Sequence, residues 1–505
     1  MKKQWQIILF SDVGILILLA LLRVLLQVLT NAQYGFFRDE LVTLDDARHL
    51  AWGYVAYPPL TPFLGRVGLD LFGISLNGIR LFAVAAQGII MLLAGLMVRA
   101  MGGKRWAQVL AAVAVGTSPV SIVDGTILQY GAFDYLWWVL AAYFVIRLLQ
   151  SEDPRWWLGI GAAIGLGLLT KYTVVFFAAG IVLGALLTKN RSYFKSPWLW
   201  GGVALALLIA FPNLLWQIQH KFISLAFLNS IHARDVRLGR AGGFLLDQIK
   251  FNGNPVTIIL VLAGIHFCFL SPAGRRYRTL GWMFLATLVL FVAAKGRPYY
   301  LAPAYPMLTA AGALWAEQRL AGLPERSGRF LRVVAGSTLA AGAVCVVALT
   351  LPVAPVNTAR WRVISSLNEN LKEEIGWPEM VETVAKIYAK LPDIEKSQAG
   401  ILASNGGEAG AISLYGPAYG LPSAISGFNS SWERSYGNPP PRTLIAVGLP
   451  VDFLKANFES CEAAGYITNR YNIRNQESTA YPVIYVCRGM RKPWPEFWRN
   501  LQCFG

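Results

Sequence analysis

The sequence predicts a polytopic α-helical membrane protein with a C-terminal soluble α/β domain. Apolar residues make up 55% of the 505 residues and charged residues only 14%, and the mean hydropathy is +0.46. A soluble domain of this length is usually less apolar. The apolar residues are concentrated in long runs up to about residue 352, and the composition becomes mixed after that point. These observations favour a membrane domain followed by a water-soluble one.

Long apolar runs predict about eleven transmembrane helices, because a helix needs roughly 17 to 25 apolar residues to cross a bilayer. The runs lie near residues 7–30, 79–99, 106–123, 133–150, 156–170, 171–188, 198–217, 256–272, 279–294, 300–318 and 331–352. The first run is too long for the apolar region of a signal peptide and has no clear cleavage site, so we interpret it as a retained anchor.

Basic residues predict the orientation of these helices. They fall in alternate connections: Lys2 and Lys3; Arg99, Lys104 and Arg105; Arg147 and Arg155; Lys189, Arg191 and Lys195; Arg275, Arg276 and Arg278; and Arg319, Arg326, Arg329 and Arg332. Such connections are typical of the cytoplasmic side. The N-terminus is therefore expected in the cytoplasm, and the outer face is expected to carry residues 31–78, 124–132, 218–255, 295–299 and the chain after about residue 353. The net charge of +17 then indicates topology and attraction to anionic membrane lipids, and no nucleic acid is expected as a partner.

The chain after residue 352 has the pattern of a small α/β domain. Residues 377–391 and 454–464 show helical periodicity, while residues 400–403, 443–447 and 483–487 have the pattern of buried strands bounded by turn residues. We therefore expect a transmembrane domain over residues 1–352, which includes the first outer loop 31–78, and an extracytoplasmic domain over 353–505. A segment of this length can form its own core.

Three cysteines fall in the predicted outer domain. If the exterior is oxidising, Cys461 on the predicted helix and Cys487 on the last strand could pair and leave Cys503 free. Connectivity does not follow from sequence, so both the paired and the unpaired state stay open.

Acidic and basic residues on the predicted outer face suggest a reaction site. They are Asp39 and Glu40 in the first loop, Asp134 at the start of a span, Lys171 in a short turn, and Lys295, Arg297, Tyr299 and Tyr300 in a later turn. Cations with tyrosines suit a lipid-linked phosphate, since cations neutralise its oxygens and phenols donate hydrogen bonds at the interface. A nearby carboxylate suits removal of a proton from an acceptor hydroxyl.

Several short motifs on this face carry a resemblance to a known family. They are Arg38-Asp39-Glu40, Tyr57-Pro58-Pro59-Leu60, Gln129-Tyr130 through Asp134, Leu169-Thr170-Lys171-Tyr172, Phe211-Pro212-Asn213-Leu214-Leu215-Trp216-Gln217, and Lys295-Gly296-Arg297-Pro298-Tyr299-Tyr300. In this order they resemble the membrane glycosyltransferases of the GT-C fold, in the family 39 and ArnT-like branch that includes protein O-mannosyltransferases. The resemblance covers most of residues 31–320, and residues 405–427 look like the tail of bacterial members.

The resemblance implies a multi-pass protein of the bacterial inner membrane that transfers sugars. The sugar would pass, with inversion, from a polyprenyl-phosphate donor such as an undecaprenyl derivative to a lipid, glycan or protein acceptor. If the site residues of the family are transferred to the matching positions of this sequence, Asp39 would be the catalytic carboxylate, Glu40 its neighbour and Asp134 a second acid. The residues expected to hold the donor phosphate are Lys171, Arg297, Tyr299 and Tyr300, and those expected to line the pocket are Tyr57, Pro58 and His220.

Other interpretations stay open at the level of sequence. Asp39 and Glu40 also suit the start of a surface helix, Asp134 suits a helix cap, and the cations and tyrosines suit interface anchors. No cofactor is required, but a divalent cation held by carboxylates and a histidine such as His220 or His232 is an alternative, although the spacing forms no dedicated ligand motif. A transporter or flippase of lipid-linked sugars is the alternative function. It is less favoured because polar residues cluster at one surface and not at mid-membrane.

Overall fold

The computed structural model describes residues 11–240 and 242–505. Lys2, Lys3 and the first residues of the predicted span 7–30 lie outside the described residues. The helices of the first part of the chain are α1 (Asp12–Thr30), α2 (Arg38–Arg48), α3 (Leu60–Phe72), α4 (Leu76–Ala100), α5 (Arg105–Gly116), α6 (Pro119–Asp124), α7 (Tyr130–Ser151), α8 (Trp156–Leu168), α9 (Val174–Leu186), α10 (Pro197–Gln219), α11 (Ile223–Arg237), α12 (Phe244–Asn252), α13 (Pro255–Leu270), α14 (Arg278–Ala293), α15 (Tyr305–Ala321) and α16 (Glu325–Thr350).

The last part of the chain mixes short helices with strands. In order it contains α17 (Ala359–Leu367), α18 (Trp377–Lys390), α19 (Asp393–Lys396), β1 (Ala399–Ala403), α20 (Gly406–Tyr415), β2 (Ala424–Ile425), α21 (Asn429–Glu433), β3 (Thr443–Val447), α22 (Val451–Asn457), β4 (Phe458–Tyr466), α23 (Gln476–Ala480), β5 (Val483–Met490) and α24 (Trp494–Leu501). Short 3₁₀ segments cover Lys189–Lys195, Pro272–Tyr277, Pro298–Ala304, Glu369–Leu371 and Gly416–Tyr419.

The protein is a polytopic helical membrane protein. Within the described ranges, six helical segments are long and apolar enough to cross a membrane, or eight if two bent pairs each count as one span. Every one of the eleven predicted runs contains a helix, but several of these helices, such as α8 over Trp156–Leu168, are shorter than a usual span. The structure thus bears out the helical membrane class, while the number of eleven stays a prediction.

Two compact units interleave along the chain. The first comprises the segment that ends at Thr30, Arg80–Gln219 and His232–Leu351, and the second comprises Asn31–Ile79, His220–Ile231 and Pro352–Gly505. The first outer loop therefore folds as part of the same unit as the C-terminal segment, far away in sequence.

Small residues bring helices of the first unit close together. Gly264 on α13 faces the carbonyl of Leu308 on α15, and Gly312 on α15 faces the carbonyl of Leu260, so a Cβ atom at either glycine would overlap the opposite backbone. Close backbone approach through small residues is a common way for membrane helices to associate. Buried aromatic rings fill the wider spaces: Trp138 stacks on Phe177 with ring centroids 4.5 Å apart.

The second unit is built on a five-stranded sheet with strand order β2-β1-β3-β5-β4. Strand β1 pairs in parallel with β2 and β3, whereas β5 is antiparallel to both β3 and β4. The predicted helix over residues 377–391 and the three predicted strands are all present. A core that includes Leu402, Leu444 and Trp498 packs on the sheet, so the C-terminal segment has the mixed helix and strand content that the sequence predicts, while the domain boundary at residue 353 stays a prediction.

One predicted element is wrong. The helix expected over residues 454–464 ends at Asn457, and β4 begins at Phe458. Alanines and glutamates give this segment helical propensity, but its pairing with β5 overrides that weak preference. Cys461 lies opposite Cys487 on β5 and forms a disulfide with it, so the paired state left open by the sequence is the one present. Cys503 is unpaired.

Candidate active site

The predicted site residues fall into two groups, one in each compact unit. The first unit holds Asp134, Lys171, Arg297, Tyr299 and Tyr300, and the second holds Asp39, Glu40, Tyr57, Pro58 and His220.

Lys171 is the centre of the group in the first unit. It lies in the turn between α8 and α9, where its backbone N–H donates to the carbonyl of Gly167 at 2.8 Å. Its ammonium nitrogen lies 4.2 Å from the ring centroid of Tyr300, 5.1 Å from that of Tyr130 and 5.5 Å from that of Tyr299. Aromatic faces attract a cation and hold it in place. We call Lys171 and these three tyrosines the cation–tyrosine cluster.

Arg297 lies beside this cluster but is held by an ion pair. Its Nε and Nη2 donate to the two carboxylate oxygens of Asp235 at 2.6 and 3.0 Å, which is a bidentate arrangement. Arg240 donates to the same carboxylate at 3.2 Å. The remaining Nη1 of Arg297 lies 3.4 Å from the Tyr299 hydroxyl. Asp235 was not predicted as a site residue, because nothing in the sequence links it to an arginine 62 residues away.

Asp134 is buried on the first turns of α7. The indole Nε1 of Trp138 donates to one carboxylate oxygen at 3.0 Å, and the Thr173 hydroxyl donates to the other at 3.2 Å. Lys171 acts on this carboxylate electrostatically, and so it does on that of Asp124. Asp134 is thus a held counter-charge near the lysine, with both oxygens already occupied.

Asp39 and Glu40 begin α2 in the second unit, and the structure gives them different environments. Glu40 is fully buried, and its Oε2 accepts from the backbone N–H of Phe37 at 2.8 Å, as a helix-capping residue does. Asp39 has a 43% exposed side chain that pairs with Arg38 at 3.5 Å. Only Asp39 of the two therefore presents its carboxylate to solvent.

A second acidic pair, not predicted from the sequence, lies further along α2. Arg434, from the loop after α21, binds Asp45 and Asp46 together. Asp46 also accepts from the Tyr57 hydroxyl at 2.6 Å. Burial raises the pKa of Asp46 to about 7, while Arg434 and then Tyr57 act in the opposite direction. The sequence spacing gave no signal for Arg434, which lies almost 390 residues from its partners.

The predicted pocket residues of the second unit are mostly buried in its packed interior. Tyr57 and Pro58 are buried, and the Tyr57 hydroxyl is bound to Asp46. Burial raises the pKa of Tyr57 well above its ordinary value, so the hydroxyl stays a donor. His220 is half-buried and interacts electrostatically with Glu433.

The described ranges hold no group of three or more His, Cys, Asp or Glu side chains that could bind a metal ion. His220 and His232, the predicted alternatives as ligands, belong to different compact units.

Comparisons with known proteins show similarity to sugar-transferring enzymes. A family model described as dolichyl-phosphate-mannose-protein mannosyltransferase matches residues 56–216. The lipid A galacturonosyltransferase RgtD of Rhizobium johnstonii is 24% identical over 268 residues, which cover 50% of this chain and 54% of that protein. The chain thus spans about half the length of this curated relative. Both descriptions are of glycosyltransferases, and neither supports the transporter alternative.

Solved structures show the same fold. ArnT from Cupriavidus metallidurans superposes with a TM-score of 0.60 in its apo state and 0.57 in its complex with undecaprenyl phosphate. The identities are 14% and 15%, and each match covers 94% of this chain and at least 97% of the other. Together the comparisons confirm the resemblance, first seen in the motifs, to the family 39 and ArnT-like membrane glycosyltransferases.

Proposed function

We propose that this protein is an inverting glycosyltransferase that moves a sugar from a polyprenyl-phosphate donor to a lipid, glycan or protein acceptor on the outer face of the membrane. The observation that carries the proposal is the cation–tyrosine cluster, in which Lys171 lies 4.2 to 5.5 Å from the centroids of three tyrosine rings. It occurs in a fold shared with an ArnT structure that contains undecaprenyl phosphate. A cation with phenol donors is suited to a phosphate headgroup.

The cluster would act on the leaving group. As the acceptor oxygen attacks C1 of the sugar, the bond from C1 to the phosphate oxygen breaks and its electron pair stays on the polyprenyl phosphate. The negative charge on that phosphate increases, so a fixed ammonium stabilises the transition state more than the ground state. We assign this role to Lys171, with Tyr299 and Tyr300 as hydrogen-bond donors. Arg297 would contribute through Nη1, since Asp235 occupies its other side.

Asp39 is proposed as the group that removes the proton from an acceptor hydroxyl. Its carboxylate is more exposed than those of Asp45 and Asp46 on the same helix, and a general base must reach the proton that it takes. Glu40 would hold the first turn of α2 through its capping contact. If the acceptor is a phosphate, no proton needs to be removed and Asp39 would orient the acceptor.

Asp134 is proposed as a positioning residue for the donor site, because its carboxylate is a fixed counter-charge for Lys171. Tyr57 and Pro58, which are buried residues of the first loop, would line the acceptor pocket together with His220.

The proposed topology has eleven spans, a cytoplasmic N-terminus and an outer C-terminal domain from residue 353, in a bacterial inner membrane. The disulfide between Cys461 and Cys487 supports an outer location, because disulfides persist in oxidising compartments such as the periplasm and are rare in the cytosol. Both named relatives come from bacteria.

The proposal is tested by transfer assays with the full chain in proteoliposomes. A radiolabelled polyprenyl-phosphate sugar is supplied with membrane lipids and envelope glycans, after mass spectrometry of cells with and without the protein has identified the modified acceptor. We expect Asp39→Asn to lower kcat by about 10²-fold or more, as loss of a general base does. Lys171→Ala should also weaken binding of the unlabelled polyprenyl phosphate, which Asp39→Asn should leave unchanged.

Asp70→Asn is the matched control for Asp39, since Asp70 is an exposed acid of the first loop that pairs with Arg66. Lys189→Ala, at an exposed position in another connection, is the control for Lys171. Full turnover by Asp39→Asn would remove Asp39 from the mechanism. An unchanged affinity of Lys171→Ala for polyprenyl phosphate would contradict the assignment of the donor site to the cation–tyrosine cluster.

A further inference from the structure

The second unit contains a cavity of about 620 Å³ that the proposed transfer chemistry does not use. It lies between the C-terminal half of α2, the beginnings of β1 and β3, the edge strand β2 and the loop after α21. None of the residues assigned above to donor binding or proton transfer lines it. Its volume is in the range of pockets that bind small molecules.

One wall of the cavity contains a partly buried ion pair. Asp45 and Arg434 both line it, and Arg434 is bound at the same time by Asp46. Arg48, one turn further along α2, donates to the carbonyl of Ser413, another lining residue. These contacts fix polar groups in place around the cavity, which lowers the entropic cost of binding a polar ligand.

An exposed arginine lies at the rim. Arg442 lines the cavity immediately before β3, where its backbone N–H donates to the carbonyl of Gln398 at 2.9 Å. No side-chain hydrogen bond or ion pair of Arg442 is formed with any residue of the described ranges. A guanidinium in this state can bind a carboxylate or phosphate with two parallel hydrogen bonds.

A fixed aromatic ring and several hydroxyl groups complete the lining. The ring of Tyr436 stacks on Trp494 with centroids 4.7 Å apart and an interplanar angle of 19°, and it meets Trp498 edge-on at 5.5 Å. Ser423 and Ser431 add hydroxyls to the wall. An apolar ring face beside donors and acceptors suits a sugar, whose pyranose ring has one C–H face and a rim of hydroxyls.

We propose that this cavity binds a short saccharide that carries a carboxylate or a phosphate. Arg442 would bind the charged group, Tyr436 would contact the sugar ring, and the serines with Asp45 and His49 would bind hydroxyls. Its wall is largely preformed by the ion pair between Arg434 and Asp45, so binding requires little rearrangement. The site is a recognition site, and it holds whether or not Asp39 performs the transfer.

Binding is measured on the full chain in nanodiscs by isothermal titration calorimetry, without donor. The probes are trigalacturonate, its fully methyl-esterified form, glucose 6-phosphate, glucose and inorganic phosphate. We expect trigalacturonate to bind and its neutral ester to bind at least tenfold more weakly. A higher affinity for glucose 6-phosphate than for glucose or inorganic phosphate would show that the site recognises both the charge and the sugar.

Variants test which residues carry the binding. Arg442→Ala should weaken trigalacturonate binding about tenfold, the size expected for a charge-assisted hydrogen bond, and Arg442→Lys should weaken it less. Ser423→Trp, at an exposed lining position, should block the cavity without disturbing the core. Arg499→Ala on α24 and Ser366→Trp on α17, both exposed and outside the cavity, are the matched controls.

The inference and the proposed function can fail separately. Asp39→Asn should bind trigalacturonate as the parent does, even when it transfers no sugar. Equal binding of the acid and its methyl ester, or undiminished binding by both Arg442→Ala and Ser423→Trp, would overturn the saccharide site. Loss of binding in a control variant together with the cavity variants would show a general loss of folding and would equally remove support for the site.

Discussion

Buried carboxyl groups in the second unit make its stability depend on pH. Glu408 caps α20, where its Oε2 accepts from the backbone N–H of Ser404 at 2.9 Å and of Asn405 at 3.3 Å. Burial, and then the charge of Glu477, raise the pKa of Glu408 to about 8. Burial and the neighbouring Glu373 raise the pKa of Glu477 to about 7. The folded state therefore favours the neutral form of both groups.

Raised carboxyl pKa values predict that the second unit is most stable in mild acid. In the unfolded chain a glutamate loses its proton near its ordinary pKa of 4.5, whereas Glu408 keeps its proton to about pH 8 in the folded state. The stabilisation is thus complete below the unfolded pKa and is lost as pH rises through the folded one. Each such group lowers the free energy of unfolding by at most about 1.4 kcal/mol per pH unit within this window.

Glu408→Gln should reduce this pH dependence while keeping the cap, because the glutamine Oε1 can accept the same two hydrogen bonds. We expect the fall in Tm between pH 5 and pH 8 to become smaller, though not zero, since Glu477 and Asp46 contribute with the same sign. Thermal unfolding of the detergent-solubilised protein across this range gives the measurement. Glu382→Gln, an exposed acid on α18, is the control, and a Glu408 variant with the parent slope would contradict the argument.

Single residues of the candidate site were predictable when they stood in a local motif. Asp39, Lys171 and the pair Tyr299 and Tyr300 could be named because short strings on one predicted face carried them. The partners Asp235 and Arg434 could not be named. Their contacts join positions far apart in the chain, so their function depends on tertiary packing that no local pattern encodes.

The position of α2, and with it of Asp39, depends on how closely this helix packs on α20. Gly410 on α20 faces the backbone carbonyl of Leu41 on α2, and a Cβ atom there would overlap that carbonyl. Backbone cannot yield as the end of a flexible side chain can, so any side chain at this position must push the helices apart. Arg48, also on α2, binds the carbonyls of Ser413 and Leu414 on α20.

Gly410→Ala should therefore destabilise the second unit by about 1 to 3 kcal/mol, the usual cost of overpacking. Because α2 moves with the change, we expect sugar transfer to fall further than the loss of folded protein explains. Chemical denaturation and transfer assays on the same preparation separate the two effects. Gly416→Ala is the control, since its Cβ atom would come no nearer than 3.3 Å to a side-chain atom. Equal behaviour of the two variants would show that this contact does not position α2.

At the level of elements, the sequence predicts types well and boundaries less well. Strands β1, β3 and β5 are buried apolar runs between turn residues, which is a local signal. Strand β4 lacks it, because most of its side chains are exposed and its strand conformation comes from pairing with β5. The sequence therefore predicts a helix at residues 458–464, where pairing with β5 produces a strand.

At the scale of the whole molecule, the length of the apolar runs predicts a membrane protein. The sequence does not predict which segments pack together in one compact unit. The first loop and the residues 220–231 join the C-terminal segment in one compact unit. Hydropathy shows only which runs leave the membrane. It carries no information on which of those runs then pack together, because that depends on contacts such as the pairing of Tyr34 with the carbonyl of Ala354, 320 residues away.

The distribution of cysteines allows the proposed topology to be tested without introducing a tag. Cys461 and Cys487 are joined in a disulfide and Cys268 is buried, whereas Cys503 is exposed. Cys345 lies within α16, a candidate span, where an aqueous reagent has little access. A membrane-impermeant maleimide applied to intact spheroplasts should thus label mainly Cys503 if the C-terminal domain lies outside.

Two variants make the result decisive. Cys503→Ser should abolish the label, and Arg329→Cys in that background should be labelled only after the membrane is permeabilised, because Arg329 belongs to a basic cluster expected in the cytoplasm. Gel shift with a maleimide of high molecular mass measures both. In the reverse pattern, Arg329→Cys is labelled in intact spheroplasts and Cys503 is protected. That result would mean that the orientation in the membrane is opposite to the one proposed. It would place the disulfide in a reducing compartment and remove the outer-face transfer proposed for Asp39.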